Sequence, residues 1–189
     1  MKQIVIALIG HPGAGKSTAL AYLKERYRAS GYRFSDYLGE TLDLWGKLRT
    51  RDMYSRISQA LETEFGQDFL AYRFLHATKN DTSPVLVIDG LRRLADHLRL
   101  AGAPLSYWPV AIKASPDHRF DRSCARGEKP EDQTMSRTEF DAMHELHAEQ
   151  EVIQLAKYAC RTIDNNGTLE DLRSQLDALM HSLGIKKHL

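Results

Sequence analysis

Nine consecutive residues, Gly10-His11-Pro12-Gly13-Ala14-Gly15-Lys16-Ser17-Thr18, have the types and spacing needed to hold a chain of phosphates. Gly10 and Gly15 bracket four residues and are followed by a lysine and a hydroxyl, which completes the GxxxxGK[ST] pattern. Glycines let the backbone pass close to an anion, so main-chain N–H groups can converge on its oxygens. Lys16 then reaches the β- and γ-phosphates, and the Ser17 hydroxyl helps to hold Mg2+. The expected ligand is ATP with Mg2+. The bland alternative is a glycine-rich turn that binds nothing. His11 and Pro12 fill positions that the pattern leaves free, and they receive no catalytic role.

Asp89 is the second acidic element of interest, because it ends the apolar run VLVI. In a parallel sheet that position lies beside the phosphate loop, where a carboxylate orders Mg2+ through water or accepts a hydrogen bond from a substrate. An ordinary Asp-Gly turn at a strand end is the competing reading. Many ATP-hydrolysing motors place a glutamate directly after this aspartate to activate water, and here the next residue is Gly90. That difference favours transfer of the phosphoryl group over its hydrolysis. No NKxD-type guanine motif occurs in the chain.

Phosphoryl transfer spreads negative charge over the equatorial oxygens, so cations must close over the phosphates. Arg119, Arg122 and Arg126 recur at three- and four-residue steps on one side of a predicted helix, with Lys129 and Arg137 around the charged stretch that follows. They read either as a lid, with Arg122 and Arg126 its leading members, or as a solvated helix face. Arg92 and Arg93, just past Asp89-Gly90, are positioned for an acceptor's phosphate. Asp36 is expected to orient or deprotonate an acceptor hydroxyl, or else to cap the helix that follows it.

These residues need a scaffold. Residues 4–9 form a continuous apolar run that suits a strand buried on both faces, and a helix with Leu20, Leu23 and Tyr27 on one side is expected over 16–29. Further strands are predicted at 32–34, at PVLVIDG, at 107–113 and at 160–164. Helices are predicted at 92–101, 116–126 and 137–157, and two or three more between 38 and 79. The last helix opens with Thr168 as N-cap and Asp171 three positions on, and Leu169, Leu172, Leu176, Leu179 and Leu183 are its expected buried face. Strands alternating with helices predict an α/β fold, a parallel sheet covered on both sides, within one domain.

Composition narrows the class. Of 189 residues, 26 Lys and Arg stand against 25 Asp and Glu, so the net charge of +1 gives no broad field for nucleic acid or an acidic membrane. Cys124 and Cys160 show no metal-ligand or disulfide spacing. No apolar stretch reaches transmembrane length, and the chain reads as cytoplasmic.

Taken together, GHPGAGKST, FSDYL, VLVIDGLRR, KASPDHRFDRSCARG and TIDNNGTLEDL resemble the nucleoside monophosphate kinase group of P-loop proteins, which includes adenylate kinases, dephospho-CoA kinases and phage deoxynucleoside monophosphate kinases. RISQALETEFGQDFLA is similar to a stretch of the phage enzymes. The resemblance implies a three-layer P-loop kinase fold with a five-stranded parallel sheet in the order 2-3-1-4-5 and ATP over the loop. It implies a helical acceptor-binding insertion at about 38–79, with Arg49, Arg51, Arg56 and Arg73 as candidate contacts, and a lid at about 126–137. It also places the turn Asn165-Asn166-Gly167 near the adenine, although an ordinary strand-to-helix turn explains the same residues. Ser35-Asp36 stands where dephospho-CoA kinases carry a DAD-type motif, which argues against a CoA precursor. No four-cysteine zinc pattern occurs, and His144 with His147 has no evident third ligand.

The expectation is an ATP-dependent phosphotransferase acting on a nucleotide, in the first place a nucleoside or deoxynucleoside monophosphate. Lys16, Asp36, Asp89, Arg122 and Arg126 are its expected catalytic set. Gly10 to Thr18 with Asn166 and Gly167 form the ATP site; Asp36, Arg49, Arg56, Arg92 and Arg137 bind the acceptor; Ser17 and Asp89 hold Mg2+. A kinase of hydroxyls on modified bases or sugars within DNA is an alternative, disfavoured by the balanced charge. A nucleotide-dependent regulatory switch is another.

Overall fold

The computed structural model describes residues 3–126, 134–142 and 147–188, with the side chains of Arg126 and of residues 147–149 outside that description. The strands β1 (Ile4–Ile9), β2 (Ser30–Arg33), β3 (Val85–Asp89), β4 (Ser106–Lys113) and β5 (Arg161–Asp164) form one sheet in the order β2-β3-β1-β4-β5. Every pairing in it is parallel. This is the expected order, and the register brings the carboxyl ends of β1, β2 and β3 together: Asp89 lies opposite Leu8 on one side and Arg33 on the other.

The period of two along each strand sorts its side chains between two cores. Ile6 and Leu8 of β1, Val85 and Val87 of β3, and Val110 and Ile112 of β4 face one core. Leu20, Leu23 and Tyr27 of α1 (Lys16–Tyr27) cover it together with Leu172, Leu176 and Leu179 of α9 (Leu169–Ser182). Val5, Ala7 and Ile9 of β1 with Leu86 and Ile88 of β3 face the other core. That core is covered by α2 (Phe34–Leu44), α4 (Phe69–Ala77), α5 (Leu94–Gly102) and α8 (His147–Leu155), which contribute Phe34, Phe74, Leu100 and Leu155. Burial on both faces is why the central strands read as unbroken apolar runs. No helix among the described residues is long and apolar enough to cross a membrane.

Several boundaries differ from the sequence expectation. β2 ends at Arg33, where its pairing with β3 stops, and Phe34 begins α2 instead of closing the strand. Asp36 therefore sits in the first turn of a helix, where an acidic side chain suits the positive end of the macrodipole. α1 stops at Tyr27 because Arg28 turns into the left-handed region at φ 53°. The helix expected over 137–157 is described as α7 (Arg137–Ala142), α8 and a short 3-10 turn, Ala156–Tyr158. Leu169 is exposed, so the buried face of α9 begins at Leu172. Its start is as expected: Thr168 Oγ1 accepts from the Asp171 N–H, and the Asp171 carboxylate accepts from the Thr168 N–H.

The remaining elements are α3 (Arg51–Phe65), capped by the Thr50 hydroxyl accepting from the Met53 N–H, and α6 (Pro116–Arg126). α3 buries none of its residues completely. Only Ile57 and Leu61, with Tyr54, pack against the core, and much of the helix flanks open space.

Candidate active site

The loop between β1 and α1 is shaped to receive an anion. Gly13 and Gly15 adopt φ of 75° and 103°, which L side chains rarely accept, and a Cβ on either would collide with a neighbour. At Gly13 that neighbour is the Arg119 backbone, and at Gly15 it is the Asn165 side chain. Lys16 Nζ donates to the carbonyl oxygens of Gly10 at 2.7 Å and His11 at 3.0 Å, closing the loop on itself. Thr18 is exposed in the first turn of α1, while His11 and Pro12 are half-buried.

Asn165 braces this loop from the far strand. Its side-chain amide donates to the Ala14 carbonyl at 2.8 Å, and its own N–H donates to Lys113. Arg122 is half-buried on α6 and donates to the Asn165 carbonyl at 3.0 Å. The expected lid arginine is thus tied to the β5–α9 turn, which is tied to the phosphate loop. Asn166 accepts from the Ser115 N–H at 2.7 Å, joining the same turn to the start of α6. Gly167 packs against the Asp171 carboxylate. Asn165 was legible as part of the turn, but its grip on the loop depends on a contact 151 residues away in sequence.

Across the loop, the Ser17 hydroxyl donates to Asp89 Oδ2 at 3.1 Å, and Arg33 Nε lies 3.5 Å from the same oxygen. Asp89 is buried at the strand end. A serine hydroxyl and a carboxylate side by side beneath a phosphate loop suit Mg2+, which is bound by one or two protein oxygens with the rest supplied by water and phosphate. The residues present therefore fit Mg·ATP: a glycine loop whose positive-φ backbone leaves no room for side chains, a lysine on that loop, and this oxygen pair.

A cavity of about 1110 Å³ runs from Lys16, Ser17 and Asp89 to α3, α5 and α8. One wall is a continuous polar face of α3: Tyr54, Ser55, Ser58, Gln59, Glu62 and Thr63 recur at three- and four-residue steps and all line it. Arg33, Arg51, Arg92 and Arg93 line it as well. Arg93 donates to Ser58 at 2.7 Å and Glu62 at 3.0 Å, and its guanidinium stacks over Phe69. Asp36 is exposed beside the lining residues Phe34 and Ser35. Partial burial pushes its carboxyl up, against the pull of Arg33 and Arg49.

Other expected contacts lie apart from this cavity. Arg49 forms a two-point pair with Asp43, Arg56 pairs with Asp52 at 3.7 Å, and Arg73 stacks over Tyr37. Arg137 is held by Asp117 and Asp141 on the surface. The Arg126 side chain, Lys129 and His144 lie outside the described residues, as does most of the expected lid at 126–137. Arg33 is the main addition. Its signal was present as a cation at the end of a strand adjacent to Asp89, but the expected strand ended one residue later, at Phe34.

A phosphate loop between β1 and α1, an acidic end to β3 and a 2-3-1-4-5 parallel sheet together define the P-loop kinase fold. A family model described as AAA domain matches residues 6–151, and the chain belongs to that family. Among solved structures it is similar to TT1252 from Thermus thermophilus (19% identity, TM-score 0.67, covering 97% of this chain and 99% of that one). It is also similar to shikimate kinase from Bacteroides thetaiotaomicron (18% identity, TM-score 0.62, covering 96% and 99%). A third is an uncharacterized protein from Eubacterium ventriosum (17% identity, TM-score 0.58, covering 96% and 99%). At these identities the likeness is one of fold. No curated protein matches the chain in sequence.

Proposed function

We propose that the protein is an ATP- and Mg2+-dependent phosphotransferase whose acceptor is a small molecule, in the first place a nucleoside or deoxynucleoside monophosphate. The observation that carries this reading is the continuity of one cavity from Lys16, Ser17 and Asp89 to the polar face of α3. Pockets for a single small ligand span about 300–1,000 Å³, so 1110 Å³ leaves room for a second molecule beside the triphosphate.

In this reading the loop amides and Lys16 hold the phosphates of ATP, and Ser17 and Asp89 hold Mg2+. The metal would neutralise charge on the phosphate oxygens. Arg33, Arg51 and Arg92 attract the anionic part of the acceptor, and Asp36 orients it from the rim. Arg122 and Asn165 keep the loop in its binding shape. Gly90 follows Asp89 where a hydrolytic enzyme would need a carboxylate to activate water, which supports transfer. A coupled ADP-release assay over a panel of nucleotide acceptors tests the proposal: at least one acceptor should raise turnover well above the rate with ATP alone. If none does, the phosphotransferase reading fails.

A further inference from the structure

The cavity walls carry both signs of charge: Lys16, Arg33, Arg51, Arg92 and Arg93 as cations, Asp89 beside the phosphate loop, and Glu62, Asp96 and Glu151 with Gln154 on α3, α5 and α8. Asp96 is fully buried, yet it lines the end of the cavity between these helices. One of its oxygens, Oδ1, accepts from the Ala71 N–H at 2.7 Å, on the first turn of α4. The other, Oδ2, has no hydrogen-bond partner among the described residues. A buried carboxylate oxygen without a donor costs about 1–3 kcal/mol or more, so a donor that entered this end and reached Oδ2 through a small shift of the wall would relieve that cost.

The neighbours of Asp96 define what that donor belongs to. Glu151 and Gln154 stand three residues apart on α8 and face the same space, and Leu70 and Leu94 give it an apolar flank. The Arg93–Glu62 pair cancels charge within the wall, and Asp96, Glu151 and Gln154 add carboxylate and amide oxygens to its lining. Burial also pushes the Asp96 carboxyl up to about 7, against the pull of the Ala71 N–H and Arg93, while Asp68 and Glu151 add to the rise. A neutral group presenting N–H or O–H donors against an apolar flank complements this surface.

We infer that the α3–α5–α8 end of the cavity is a subsite for the far end of the acceptor, and that it selects neutral hydrogen-bond donors through Asp96, Glu151 and Gln154. Two sources supply that chemistry: the exocyclic amino group of a cytosine or adenine base, or the hydroxyls of a sugar-like acceptor. Thymine presents a carbonyl oxygen where cytosine and adenine present an amino group, and above pH about 7, where Asp96 is ionised, that oxygen would face a carboxylate here. The inference deepens the phosphotransferase reading and rests on it for the identity of the ligand as an acceptor.

Calorimetry at pH 8, where Asp96 is ionised, with the full chain saturated with Mg2+ and a non-hydrolysable ATP analogue, tests it with dCMP, dAMP, dTMP, ribose 5-phosphate and D-glucitol as probes. Tighter binding of dCMP or dAMP than of dTMP, by about tenfold or more, supports the subsite with a base as source. Binding of ribose 5-phosphate or D-glucitol that depends on the same residues supports it with hydroxyls as source. In either case Asp96→Asn, which keeps an acceptor for Ala71 but places an amide NH2 in the other position, should weaken the bound probe by about tenfold or more. Affinity for the ATP analogue should be unchanged. Glu151→Gln, at a half-buried site less critical to folding, should weaken the same probe. The subsite is overturned if no probe binds, if dTMP binds as well as dCMP and dAMP with no dependence on either residue, or if both variants bind every probe like the wild type. A probe that binds with this dependence but is never phosphorylated leaves the subsite standing and removes the phosphotransferase reading alone.

Discussion

Arg33 Nε lies 3.5 Å from Asp89 Oδ2, the same oxygen that accepts the Ser17 hydroxyl at 3.1 Å. One carboxylate oxygen thus joins the metal side of the site to a cation on the acceptor side. The pairing follows from strand register, because Arg33 and Asp89 are partners at the ends of β2 and β3. Arg33→Gln removes a positive charge that competes with Mg2+ for Asp89, so half-saturation with Mg2+ should occur at lower concentration. Loss of this acceptor-side cation should at the same time lower kcat by about 10- to 1,000-fold through poorer positioning of the acceptor. A Mg2+ titration of steady-state turnover reads both effects. Unchanged kcat with unchanged Mg2+ dependence would leave Arg33 a structural partner only.

Lys16→Ala should lower turnover strongly while leaving the fold intact. Its two hydrogen bonds to the loop carbonyls are partly exposed and neutral to stability within about 1–2 kcal/mol. Its charge on the phosphates is worth about 100- to 1,000-fold in kcat. Circular dichroism melts beside ATP kinetics separate the two. Large unfolding without kinetic loss in the folded fraction would contradict the assignment.

The Asn165 side chain holds the Ala14 carbonyl from a buried position. Asn165→Ala leaves that carbonyl without its donor and should cost about 1–3 kcal/mol, with weaker binding of an ATP analogue as the loop loosens. Gly15→Ala should be worse, because its φ of 103° strains any side chain and the new Cβ meets Asn165. Combining the two substitutions should relieve the collision but not the strain. Urea denaturation and analogue titration of the three variants check this order.

Asp96 makes stability depend on pH. Its folded carboxyl stays protonated up to about 7, whereas in the unfolded chain it ionises near the ordinary carboxylate value of about 4. The folded state therefore binds more protons between these limits, and the contribution of this group to stability, full below pH about 4, is lost as pH rises to about 7. Asp96→Asn does not ionise and keeps an acceptor for the Ala71 N–H. Relative to wild type the variant should gain stability from about pH 4 to about pH 7 and hold the gain above that, on the order of 1–4 kcal/mol. Denaturant melts of both proteins at pH 5 and pH 8 measure it. A variant whose relative stability falls between these two values would contradict the burial of an ionisable Asp96.

The phosphate loop and the Asp89 strand were legible because each rests on local pattern, an apolar run, glycine spacing, a carboxylate at a strand end, whereas the sheet order came only from the resemblance to a known family. Even the capping box at Thr168 and Asp171 could be read from a three-residue interval. Asp96 was not legible. It sits in a helix among ordinary polar residues, and its burial follows from α4 docking onto α5 and bringing Ala71 to it. Arg33 was hidden by a boundary error of one residue: the expected strand ran on to Phe34, which put Arg33 inside it instead of at its end beside Asp89. The insertion arginines show the limit of reading charge from composition. Arg51 faces the cavity, while Arg56, five residues on, falls on the solvent side of the same helix.

The central claim is that phosphate is handed to a second molecule, and the most direct measurement follows the γ-phosphate itself. With radiolabelled ATP, Mg2+ and dCMP or dAMP in turn, the label should appear in the acceptor. Release of inorganic phosphate without acceptor should be slower by about 100-fold or more, as expected when the acceptor completes a site closed to water. Label that passes to inorganic phosphate at one rate, with or without any acceptor, would contradict the account.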